Sequence, residues 1–184
     1  HIADLIKTHA LAHEDCAVIE KYLTSPSDSI DTKATAINAA VANGMDVSLE
    51  FVVRNILPVA GNENTLSILD AYCSKKLVDD DVFRILNFAC ACKDSKTAVG
   101  ALDCLKRGNQ YVLVPSKTVI AMLSERDLTA SDKISILDKL FEFKVEAKSV
   151  EAVMTNYLCF NQDPVATRKE VILYLLDKSP QLPT

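Results

Sequence analysis

The stretch TLSILDAY at 65–72 returns as AVGALDCL at 98–105 and as KISILDKL at 133–140. Its five-letter centre can be followed along the whole chain: IADLI (2–6), AINAA (36–40), ILDAY (68–72), ALDCL (101–105), ILDKL (136–140) and VILYL (171–175). The third letters are Asp4, Asn38, Asp70, Asp103, Asp138 and Leu173, each 32–35 residues after the one before. A second track runs between them, through Val52-Val53, Ile85-Leu86, Val119-Ile120 and Val153-Met154. Apolar residues within each segment follow helical spacing. Breaks fall at SPSDSID, NGMD, GNEN, LVDDD, KDS, GNQYVLVPS, ERDLTASD, VEA and NQDP. A two-helix unit recurring at this period predicts a helical solenoid, because each short pair buries its apolar face only against its neighbours.

The expected architecture is therefore all-α, a right-handed α-solenoid of about five and a half repeats in eleven short helices. They are read at 2–12, 15–24, 31–43, 47–58, 64–76, 79–92, 95–107, 115–126, 131–143, 147–159 and 165–178. Residues 1–184 form one domain in this reading, with repeats beginning near 15, 47, 79, 114 and 147 and with 2–12 as a lone second helix or cap. Ser48, Ser95, Ser116 and either Ser131 or Asp132 are the expected N-caps.

Composition narrows the function. The 184 residues are 49% hydrophobic and 24% charged, with four glycines and no tryptophan, which argues against glycine-rich phosphate loops and β-hairpins. Twenty Lys+Arg against 25 Asp+Glu give a net charge of −5, opposite to the basic excess of a free-standing nucleic-acid binder. No run approaches 18 apolar residues, so no membrane insertion is expected. The start HIADLIKTHALAHED reads as neither a signal nor a transit peptide, so any targeting segment is expected to have been removed, or the chain to be a fragment.

Chemistry-bearing clusters are sparse. Cys16, Cys73, Cys90, Cys92, Cys104 and Cys159 sit in apolar helical stretches, as buried structural thiols of a reducing compartment. His9, His13 and Cys16 have a zinc-like i, i+4 arrangement but no evident fourth ligand, so polar helix-end residues are the expectation and no metal or cofactor is assigned. Asp79, Asp80 and Asp81 precede a helix, where carboxylates favour its positive end. No nucleophile has a general base near it in sequence, and the chain reads as a non-enzyme with no catalytic residue.

The units lack the TPLH-type turn of ankyrin repeats and the tryptophan of tetratricopeptide repeats. They resemble degenerate pentatricopeptide repeats through VSLEFVV (47–53), VPSKTVI (114–120) and KSVEAVM (148–154) as first-helix starts, and through the second-helix segments quoted above. The resemblance covers nearly the whole chain by spacing. Members of that family are mostly organellar and commonly bind single-stranded RNA, choosing bases with Asn, Thr or Ser near the first-helix start. The matching positions here are Glu50, Phe83, Lys117 and Glu151, none of which fits. A sparse basic track (Arg54, Arg84, Lys117, Lys148) is read as a solvated face. A second branch, pentatricopeptide-like accessory subunits of respiratory complexes and ATP synthase, suits the acidic balance better. AINAAVANGMDVSLEFVVRNI (36–56) resembles the matrix-side helical subunit of cytochrome c oxidase in pattern.

The resemblance thus implies a mitochondrial, matrix-side docking subunit that binds a protein partner, with an organellar RNA-binding factor as the alternative. Glu50, Arg54, Phe83, Arg84, Lys117 and Glu151 are the expected lining of its partner groove, Phe83 the expected anchor.

Overall fold

A computed structural model describes Asp4 and residues 16–110, 112–145 and 149–178. It is all-helical. Among the described residues there are ten helices: α1 (Cys16–Thr24), α2 (Ile30–Ala42), α3 (Leu49–Asn55), α4 (Leu57–Cys73), α5 (Asp79–Ala91), α6 (Ser95–Arg107), α7 (Ser116–Leu123), α8 (Ala130–Leu140), α9 (Ser149–Phe160) and α10 (Val165–Lys178). They correspond in order to the last ten of the eleven expected. The first, 2–12, lies outside the described residues except for Asp4, which is helical. No described helix is long and apolar enough to cross a membrane.

The recurring five-letter segment is core. Its first two positions are fully buried in Ala36-Ile37, Ile68-Leu69, Ala101-Leu102 and Ile136-Leu137, and its fifth in Ala40, Leu105, Leu140 and Leu175. On a helix these positions share one face, one turn apart, which is why the pattern survives while its letters change. Val52, Ile85, Val119 and Val153 of the second track are buried too.

Residues 1–85 and 86–184 form two compact units, the division falling inside α5. In the first unit α4 packs against both α2 and α3. In the second, α8 lies between α6 and α10, α7 packs on α9, and each of the pairs α7–α8 and α9–α10 is in contact. The even-numbered helices of this unit thus form one row, while α7 and α9 lie side by side. A two-residue parallel bridge, at expected breaks in the helical pattern, joins the lead-ins of α7 and α9: Leu113 pairs with Lys144 and Val114 with Val145.

Helix ends follow local chemistry, with several corrections to the expected caps. Ser29 caps α2 and Ser48 caps α3, accepting from Phe51 N at 3.3 Å. Asp94, not Ser95, caps α6, because its two-oxygen carboxylate reaches both Lys96 N and Thr97 N. Thr129, not Ser131 or Asp132, caps α8, with Asp132 closing a reciprocal capping box. Ser116 is the first residue of α7 rather than its cap; Pro115 precedes it without a side-chain bond. The break expected over GNEN narrows to Gly61, whose φ of 72° and ψ of 167° kink α4, a conformation that needs a residue without Cβ. Gly44, at φ 77°, follows α2, where Asn43, Gly44 and Met45 N–H groups return to Ala39, Val41 and Ala40 carbonyls.

Candidate functional site

Side chains on α3 and α5 build a polar cluster in the first unit. Arg84 donates to Glu50 at 3.0 Å and to Asp81 at 2.9 Å. The first bond joins residues 34 apart, one repeat; the second is an i, i+3 pair on α5. Asp81 therefore holds Arg84 as well as occupying the first turn of its helix. Beside them lies an open cavity of about 590 Å³, whose lining includes Met45, Val47, Tyr72, Lys75, Lys76 and Val78. Tyr72 donates to Val47 O at 2.8 Å, and Lys75 Nζ donates to Val41 O at the end of α2. Asp46 also lines the cavity, so both acidic and basic groups face it.

Of the six expected groove residues, the structure brings Glu50 and Arg84 together. Arg54 is exposed on α3 and is not among the residues lining the cavity; Phe83 is half-buried on α5 and likewise not among them. Lys117 is exposed at the start of α7, in the second unit. Glu151 is on α9, and its side chain, like Lys148, lies outside the described residues. Sequence reasoning missed Asp81, Tyr72 and Lys75 as cavity residues. The 34-residue step from Glu50 to Arg84 was the available signal for the ion pair.

Ion pairs and hydrogen bonds roughly one repeat apart recur through each unit. Asn38 donates to Ser67 at 2.7 Å, Asp103 pairs with Lys139 at 3.0 Å, and Asp138 accepts from Tyr174 at 2.5 Å and pairs with Lys178 at 3.4 Å. At Asn38, Asp103 and Asp138 the acidic or amide third letter of the repeated segment is thus a strut to the following second helix. Lys93–Asp127 (2.7 Å), Lys106–Glu142 and Ser95–Asp132 (2.5 Å) add to it. Lys106 holds the Glu142 carboxyl below its usual range, and Ser95, followed by Thr129, does the same for Asp132.

A second recurring position, five residues before the third letter, ties a second helix back to the chain ahead of it, and at Thr65 ties α4 across its own Gly61 kink. Lys33 donates to Ser25 O, Thr65 to Leu57 O at 3.4 Å, Lys133 to Leu123 O at 2.8 Å and Arg168 to Leu158 O at 3.2 Å. Leu57 is the first residue of α4 itself; Ser25, Leu123 and Leu158 lie at or just past the C-terminal end of the first helix of the pair, where carbonyls lack intrahelical donors. Lys133 is fully buried and also pairs with Asp163, which accepts from Tyr157 OH at 2.6 Å. Burial first, then that bond, pushes the Tyr157 phenol up. All of this is fold-holding chemistry.

Cys73, Cys90 and Cys104 are buried thiols outside any disulfide, and burial pushes Cys90 and Cys92 up to about 12, which disfavours their thiolates. Cys159 corrects the sequence reading: it is exposed, and Cys92 is half-buried. The Cys16 side chain, His9 and His13 lie outside the described residues. Among the described residues no three His, Cys, Asp or Glu side chains cluster as a metal site. Comparison of the chain with protein-family models, with curated proteins and with solved structures gave no match.

Proposed function

We propose that the chain is a non-enzymatic, pentatricopeptide-like helical-repeat subunit. In this reading it is a right-handed solenoid that docks a protein partner inside a mitochondrial assembly such as ATP synthase or cytochrome c oxidase. Support for the solenoid comes from bonds that recur one repeat apart and from the row of second helices within the second unit. The organellar assignment rests on the resemblance of the repeats.

The observation that carries the docking reading is the charge state of the cavity beside α3. Arg84, the groove residue best suited to a phosphate, already holds two carboxylates, Glu50 and Asp81. A polyanion would have to approach those carboxylates and displace them, whereas a peptide with both signs of charge meets complementary groups there, with Met45, Val47 and Val78 for its apolar side chains. Protein docking needs no net positive field.

The test is affinity purification of the endogenous protein with and without ribonuclease, followed by the same purification of an Arg84→Glu variant. Nuclease-resistant recovery of a defined set of assembly subunits, lost with the variant, is the expected result. Recovery of transcripts, with co-purifying proteins lost on nuclease treatment, would refute docking and make the chain an RNA-binding array with a steep salt dependence.

A further inference from the structure

In α6 and α8 the strut residue and the residue three positions after it both reach the next second helix. On α6 these are Asp103, paired with Lys139, and Lys106, paired with Glu142 just past α8. On α8 they are Asp138, bonded to Tyr174 and Lys178, and Phe141 just past the helix end, whose ring stacks on Tyr174 with centroids 6.3 Å apart. The corresponding residues of α10 are Leu173 and Leu176, which are 56% and 53% exposed. Where the preceding helices hold a neighbour, α10 therefore offers two leucines to solvent. Four of the eight exposed large hydrophobics among the described residues, Leu158, Val165, Leu173 and Leu176, belong to α9 and α10.

The charges flanking Leu173 select the occupant. Lys169 lies one turn before it and Asp177 one turn after it, both exposed and both four residues away, so all three share one helix face. Such a pattern is self-complementary under a two-fold axis through Leu173. If a second α10 runs antiparallel across the first, each Lys169 meets the other's Asp177, and the two Leu173 side chains meet on the axis. Leu176 then falls opposite the aliphatic stem of Glu170 in the second copy, which can cover it while its carboxylate stays in water. Two-fold contacts require one patch to complement itself, and this helix face does.

We propose that the outer face of α10 is a pairing surface for a second copy of this chain, the two helices antiparallel with Leu173 on the axis. One helix from each copy is a small contact compared with obligate interfaces, so the association is expected to be weak and concentration-dependent.

Sedimentation velocity over about 1–200 µM, spanning the range of weak transient interfaces, should show mass rising from 20.2 kDa toward twice that value. Leu173→Asp with Leu176→Ser should remain monomeric throughout while keeping the wild-type far-UV circular dichroism. Lys169→Glu and Asp177→Lys should each weaken self-association by roughly tenfold or more, since each places like charges together twice. Mixed with one another, those two variants should pair at least as well as wild type, because every flanking contact then joins opposite charges. A chain that stays monomeric at the highest concentration overturns the proposal. A dimer indifferent to these substitutions, or charge variants that fail to rescue one another, overturns it equally.

Discussion

Replacing Lys133 with methionine keeps the length of the side chain and removes its charge and its three donors. The ammonium group is fully buried, donates to Leu123 O at 2.8 Å, and pairs with Asp163, which is itself buried. In the variant Leu123 O keeps the Asn161 amide donor at 2.9 Å, and Asp163 keeps Tyr157 OH and loses its counter-charge. An uncompensated buried carboxylate of this kind costs about 3–5 kcal/mol. For a chain of this size that corresponds to a melting temperature lower by roughly 6–20 °C. Native-state hydrogen exchange should show protection of the α8 amides falling by about two to nearly four orders of magnitude. Asp163→Asn added to Lys133→Met removes the orphaned charge as well, and should bring stability back to within about 1–2 kcal/mol of wild type. A single-variant loss below about 1 kcal/mol, or a double variant no better than the single, would refute the buried-pair reasoning.

Three further outcomes follow from the same geometry. Asp132 and Glu142 are held below their ordinary values of 3.8 and 4.5, by Ser95 and Lys106 respectively. A folded-state pKa below the unfolded one adds stability that is complete above the unfolded value and is lost as pH falls through the folded one. Stability should therefore drop on acidification below about pH 4.5, and Asp132→Asn should flatten part of that slope in melts between about pH 3 and 6; parallel wild-type and variant curves would count against it. Leu137→Ala, at a fully buried position of the repeated segment, should cost about 2–5 kcal/mol by denaturant titration, whereas Arg84→Ala, at an exposed ion pair, should cost about 1 kcal/mol or less. Among the described cysteines Cys159 should react first with a thiol-specific reagent and Cys73, Cys90 and Cys104 only on unfolding; equal rates measured by peptide mass spectrometry would contradict their burial.

What the amino-acid sequence determined by itself is the set of helices and their inward faces. Burial on a helix is a local periodicity, so Ile68-Leu69, Ala101-Leu102 and Ile136-Leu137 announce their own role, and the 32–35-residue step shows through changes of residue type. Helix ends were legible to within three residues except at α4, which begins at Leu57 rather than at 64, and the caps were missed where several capping side chains compete. Asp94 took the cap read for Ser95, and Ser95 instead bonds Asp132, 37 residues away.

Tertiary structure decided the polar chemistry. Lys133 reads as a solvated charge in a string of letters, because its partners are a helix-end carbonyl ten residues back and a carboxylate thirty residues on. The acidic third letters Asp103 and Asp138 have these partners far along the chain, and only the placement of the following helix makes them struts. The candidate groove divides the same way: the Glu50–Arg84 pair was half legible in its one-repeat spacing, while the cavity beside it required the ends of α2 and α4 to be folded against α3. Helical periodicity is a property of neighbours along the chain, and the energy of a charge depends on what surrounds it in space.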